Sequence, residues 1–203
     1  MAISLQKGQK ISLEKEAGSP LRRVVMGLGW DTASSGKPSG LLRGLFGGGG
    51  GGGGGEGIDL DASCLLFDAA GNMVDAVWFQ QLRSKDGSIQ HTGDNRSGQG
   101  EGDDEQILVD LERVPATVSY LVFAVNSFSG QSFDQVQRAF CRLIDGANQR
   151  EIARYDLGCQ GPHTAMVMAK LYRHNQEWKM HAIGESARGQ TVRDLLPVIG
   201  QYL

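Results

Sequence analysis

Between His91 and Gln106 the chain reads HTGDNRSGQGEGDDEQ, which sets the carboxylates Asp94, Glu101, Asp103, Asp104 and Glu105 among four glycines. Two carboxylates about 5 Å apart repel by roughly 3 kcal/mol at an effective dielectric of about 20. Only Arg96 and His91 lie close in sequence to offset several such pairs. A fixed loop of this composition calls for a cation. Carboxylate oxygens, the amide oxygen of Asn95 and the carbonyls of a glycine-rich backbone form the hard oxygen set that calcium takes, whereas zinc would want Cys or His. The spacing is not that of an EF-hand. With Asp94 as position 1, Glu105 falls at position 12, but Arg96 and Gly98 occupy positions 3 and 5 and Gln99 stands where the turn glycine belongs. The competing reading is a solvated acidic surface loop.

A second acidic element lies upstream in IDLDASCLLF, Ile58 to Phe67. On a strand Ile58, Leu60, Ala62 and Cys64 share one face while Asp59 and Asp61 share the other, about 6.7 Å apart at about 3.3 Å per residue. Paired carboxylates at the mouth of a core strand are costly unless paired or metallated. A solvated face is the plainer alternative. A glycosidase-like acid pair is a further one, though no sugar-binding aromatic platform accompanies it. A third carboxylate, Asp31, closes the β-branched run LRRVVMGLGW, where a polar stretch begins.

The elements that must hold these groups read mainly as short strands. Ile3 to Leu5 and Ile11 to Leu13 form an N-terminal hairpin or two edge strands. Leu21 to Trp30, Ile58 to Phe67, Met73 to Gln81, Gln106 to Leu111, Val118 to Phe128, Phe140 to Asp145, Ile152 to Leu157, Thr164 to Tyr172 and Trp178 to Ile183 follow, separated by turns such as DAAGN, KDGS and DGANQR. SFDQVQRA, from Ser132 to Ala139, reads as one or two helical turns capped by Ser132. Thr191 to Leu203 places Val192, Leu195, Leu196 and Ile199 on one helical face with Thr191 as N-cap, Asp194 near the positive end of the dipole and a kink at Pro197. Many strands and one clear helix predict an antiparallel β-sandwich, with the acidic strand end and the acidic loop at one rim. Residues 33 to 57 read as an insertion whose centre, Gly47 to Gly55, is an unbroken glycine tract. It has the character of a flexible linker and not of a phosphate loop, because no GK[ST] follows. The apolar LLRGLF before it would dock on the domain's own surface or, as the alternative, on a partner. The whole of 1 to 203 then forms one domain.

An apolar fraction of 40% supports a real core, and a net charge of −3 gives no drive toward nucleic acid. The N-terminus lacks an apolar h-region and no run of about 18 apolar residues occurs, so neither a signal peptide nor membrane insertion is expected and the cytoplasm is the expected compartment. Cys64, Cys141 and Cys159 lack metal-ligand spacing and fit reduced thiols, the first two in core strands. Trp30, Trp78 and Trp178 read as core residues. His91, His163, His174 and His181 show no HExxH pairing, no GxSxG elbow occurs, and nothing points to catalysis.

Taken together, GLGWD at 27 to 31, IDLDAS at 58 to 63, HTGDNRSGQGEGDDEQILVDL at 91 to 111 and EIARYDL at 151 to 157 resemble the TerD family of bacterial tellurite-resistance and stress proteins. The resemblance covers nearly all of the chain outside the insertion, and the glycine-rich insertion makes it look like the TerZ branch. It implies a calcium-binding β-sandwich. Position by position it places the family's acidic motifs on Asp31, Asp59 and Asp61, and on Asp94, Asn95, Glu101, Asp103, Asp104 and Glu105, with about two neighbouring calcium ions. It also implies partners among other Ter-system proteins at the inner face of the membrane. Two functional classes follow: a calcium-ordered scaffold or interaction module, or an enzyme or direct tellurite-handling protein using the acidic rim or the thiols.

Overall fold

The computed structural model describes residues 2–32, 59–93, 102–158, 160–175 and 177–203; the insertion at 33 to 57 and LLRGLF lie outside them. Two six-stranded sheets face one another. The first has the order β1 (Ile3–Ser4), β10 (Glu151–Leu157), β9 (Val136–Asp145), β3 (Arg23–Thr32), β7 (Glu105–Asp110), β6 (Ile89–His91). The second runs β2 (Lys10–Ser12), β12 (Glu177–Ala187), β11 (Ala165–His174), β8 (Tyr120–Asn126), β4 (Asp61–Phe67), β5 (Met73–Val77). Period-two patterning builds the layer between them: Val24, Met26, Leu28 and Trp30 of β3 meet Ala62, Cys64 and Leu66 of β4 and Leu121, Phe123 and Val125 of β8. Among the described residues, no helix is long and apolar enough to cross a membrane.

The N-terminal segments are two edge strands but not a hairpin. β1 pairs in parallel with β10 in one sheet, and β2 pairs antiparallel with β12 in the other, so the N-terminus straps the two layers together. A short helix α1 (Leu13–Ala17) follows at once, with Ser12 as N-cap and Gly18 in the left-handed region at its end. The helix expected from Ser132 shrinks to a 3₁₀ turn, Phe133–Gln135, although Ser132 does cap it by accepting from the Asp134 amide. From Val136 the chain is strand, because β9 pairs along almost all of β3 and that ladder outweighs local helical preference. Trp30 and Trp178 are buried as expected, whereas Trp78 is half-buried and stacks edge-on with Phe79.

The C-terminal segment departs most from its helical reading. Only α2 (Leu196–Ile199) is helical. Pro197 sits in its first turn instead of kinking its middle, since a residue without an N–H belongs where no helical donor is needed. Thr191 is not a helix cap: the Asp194 carboxylate accepts from the Gln190 and Thr191 amides and the Thr191 hydroxyl, closing a turn. The apolar residues still do their work. Val192, Leu195 and Ile199 cover Leu65, Val122, Ala124 and Val167 on the outer face of the second sheet, so β4, β8 and β11 are buried on both sides.

Lys170 anchors that segment by donating to the Tyr202 carbonyl. His181 lies between Lys170 and Lys10 in the strand register. Burial, reinforced by those two cations, pushes the His181 imidazole down to about 4. The folded state therefore resists a proton that the unfolded chain accepts near 6.5. The contribution of His181 to stability should be constant above that pH and decline as pH falls toward 4, by well under the about 1.4 kcal/mol per unit of a fully buried group because the ring is only half-buried. Urea unfolding of wild type and His181→Gln from pH 7 to 4.5 checks this: the variant should show the shallower slope.

Candidate metal centre

The acidic segment enters β7 at its C-terminal end, and three consecutive carboxylates there take three different directions. Asp103 turns onto the outer face of the first sheet. Its oxygens accept from Arg142 Nε at 2.6 Å and Nη2 at 3.2 Å and from Gln106 Nε2 at 2.9 Å. Arg142 also donates to Glu151 at 3.1 Å; the Asp103 hydrogen bond is the main reason its guanidinium holds its proton above the ordinary range, against the cost of partial burial. Asp103 fits because β3 carries glycine beneath it. A Cβ on Gly27 would stand 2.2 Å from the Asp103 carboxylate, and one on Gly29 would stand 2.4 Å from the Phe140 ring and 2.9 Å from the Gly102 carbonyl.

Asp104 ties the loop to the end of β3. Its amide donates to the Leu28 carbonyl at 2.9 Å and its Oδ2 accepts from the Trp30 amide at 2.7 Å, one residue before Asp31. Glu105 points the other way, into the space between the sheets, fully buried. Its Oε2 accepts from the Ala62 amide of β4 at 2.7 Å and lies 3.2 Å from His91 Nε2. His91 Nδ1 accepts from the Gly93 amide, which can only donate, so the ring proton sits on Nε2 and is given to Glu105. One carboxylate thus joins β7, β6 and the opposite sheet.

The Asp59 and Asp61 carboxylates arrive from that opposite sheet. Asp61 opens β4 opposite Asn126 and is 6% exposed, and the Asp59 amide donates to Gln131 Oε1 at 3.1 Å. Leu60 and Ala62 face the core, which leaves the alternate positions 59 and 61 for the other side. Asp31 lies in β3 opposite Arg138, its side chain outside the described residues, as are Asp94, Asn95 and Glu101. Hydrogen bonds therefore join the described loop end to the Trp30 amide beside Asp31 and to the Ala62 amide beside Asp61. Among the described residues, no group of three or more His, Cys, Asp or Glu side chains could hold a metal ion by itself. Arg142 and Gln131 carry no signature in the sequence, because Arg142 meets Asp103 and Gln131 meets the Asp59 amide only through the fold. The paired glycines of GLGW were the one legible sign, because glycine inside a strand marks a close approach.

A TerD domain model matches residues 1–197. The chain belongs to the TerD family. The tellurium resistance protein TerZ of Serratia marcescens is 48% identical over 193 residues, covering 95% of this chain and 94% of that protein. The stress response protein SCP2 of Bacillus subtilis (strain 168) is 42% identical over 97% of this chain and 98% of its own length. In fold, this TerD-family chain resembles the crystal structure of SAV2460, a protein of unknown function, with a TM-score of 0.64 and 23% identity over 88% of this chain and 98% of that one.

The thiols stand apart from the acidic groups in chemistry. Cys64 and Cys141 are fully buried in the core, and burial pushes both upward, Cys141 to about 12. A disulfide reagent at pH 8 should leave both unlabelled in the folded TerD-family chain carrying Cys159→Ser, and label two thiols in denaturant. Rapid labelling of the folded protein would contradict this.

Proposed function

We propose that this chain is a calcium-ordered binding module of a tellurite-resistance and stress-response system, acting in the cytoplasm as a scaffold or interaction protein for other proteins of that system. The observation that carries the reading is the pair of backbone hydrogen bonds that draw Asp104 and Glu105 to the Trp30 and Ala62 amides, beside Asp31 and Asp61. Carboxylates from both sheets and from one loop then share one end of the sandwich. The donor set is all oxygen, which fits calcium and does not fit zinc or copper.

The ligands would come from Asp31, Asp59, Asp61, Asp104 and Glu105 together with Asp94, Asn95 and Glu101 of the loop; the described carboxylates do not suffice without the loop. Asp103, held through both oxygens by Arg142 and Gln106, is set apart from that group as a positioning residue. Bound calcium would neutralise the acidic rim and fix its shape. The chain's own part is to orient the carboxylates through Trp30, Ala62, His91 and Gln131 and to present the ordered rim to a partner. The buried thiols do not favour direct handling of tellurite.

Calorimetric titration tests the reading. Calcium should give saturable heat with about two sites per chain, and magnesium little, because it resists dehydration and demands a rigid octahedron. Asp59→Asn with Asp61→Asn should weaken calcium sharply, while Asp103→Asn should keep the stoichiometry and lower stability. Absence of calcium heat in the wild type would return the rim to a solvated acidic surface.

A further inference from the structure

A second polar concavity lies at the other end of β7, about 17 Å from Glu105 at about 3.4 Å per residue. It is a cavity of about 340 Å³ on the outer face of the first sheet. Arg23, Arg83 and Arg113 line it, with Asp110 as the single acidic lining residue among those described. Arg23 is paired with Asp110 at 3.3 Å. Arg83 and Arg113 form no ion pair among the described residues.

These two guanidinium groups converge on one point. The position where a Cβ of Gly87 would lie is 3.3 Å from Arg83 Nε and Nη2 and 3.3 Å from Arg113 Nη2. The turn that brings them together is fixed: Ser84 Oγ accepts from the Ile89 amide, Asp86 Oδ1 accepts from the Ser88 amide, and Gly87 takes the left-handed backbone with φ +73°. Among the described residues the Arg113 guanidinium reaches only the Asp86 carbonyl, at 3.5 Å, and the Asp86 carboxylate is engaged by Ser84 and Ser88. Two like charges held around one glycine, in a chain of net charge −3, repel each other until an anion comes between them. Planar guanidinium forks match phosphoryl oxygens, and a cavity of this size falls in the range of small-molecule sites, with room for more than a bare ion. Val25, 7% exposed, and Leu108, 39% exposed, supply an apolar wall beside the arginines. Gln149, held at φ +61°, presents an amide at its edge.

We propose that this cavity binds the phosphoryl group of a small phosphorylated molecule, Arg83 and Arg113 taking its oxygens from two sides while Val25 and Leu108 face its organic part. The site is independent of the acidic rim. The test is titration of the full chain, followed by calorimetry and by amide shifts, with adenosine monophosphate, inorganic phosphate and adenosine as probes. Adenosine monophosphate should bind, inorganic phosphate should compete more weakly, and adenosine should bind at least tenfold worse than its monophosphate. Arg83→Ala and Arg113→Ala should each weaken the monophosphate at least tenfold with melting curves unchanged. Arg22→Ala, which removes a surface arginine paired with Glu112 outside the cavity, should leave it as in wild type. No binding by either phosphate probe, equal binding of adenosine, or wild-type affinity in both cavity variants would overturn the proposal.

Discussion

Chelating calcium should lower the melting temperature of this chain by about 10 to 20 °C. A ligand that binds only the folded state at a hundred times its dissociation constant contributes about 2.7 kcal/mol, so two sites contribute roughly 5 kcal/mol. For a chain of this length each kcal/mol moves the midpoint by about 2 to 4 °C. The carboxylates concerned sit at strand ends and in a loop, so the rim should loosen without metal while the inter-sheet core stays intact. Asn substitutions at Asp59 and Asp61 should remove most of the calcium increment yet leave the calcium-free protein as stable as before or slightly more so, because a repulsion goes with the ligands. Scanning calorimetry with calcium, with magnesium and with chelator measures all three effects. A midpoint indifferent to calcium would end the metal reading.

Gly27→Ala should cost about 3 kcal/mol even without calcium. The new methyl would stand 2.2 Å from the Asp103 carboxylate, and the carboxylate cannot swing aside without leaving Arg142 and Gln106. Breaking a buried ion pair costs about 3 to 5 kcal/mol; Arg142 keeps 27% of its side chain exposed, which places this case at the low end. A double-mutant cycle separates clash from pair: in the background of Asp103→Ala, whose short side chain leaves room, Gly27→Ala should cost under about 1 kcal/mol. Equal costs in both backgrounds would show that the glycine matters for some other reason.

The sequence by itself determined most of the strands, though not β6 or the start of β9, together with the sandwich, because alternation over five to ten residues records which side of a sheet is buried. Val24, Met26, Leu28 and Trp30 alternate in the chain and share one side of β3 in the fold. It also brought forward the acidic segment and Asp59 with Asp61, since a concentration of like charge is visible without coordinates. Short helices and pairings were decided elsewhere. Ser12 to Gly18 carries a cap and a terminating glycine but too few turns to announce itself, and the apolar stripe of Val192, Leu195 and Ile199 suits a helix or a turn-rich strap alike until Pro197 fixes where the helix begins. The role of each carboxylate was tertiary as well. Asp103, Asp104 and Glu105 are neighbours of one type in sequence, yet one meets an arginine 39 residues away, one caps the end of β3, and one crosses to the facing sheet. Partners so distant are chosen by strand register and sheet packing, which local spacing does not encode.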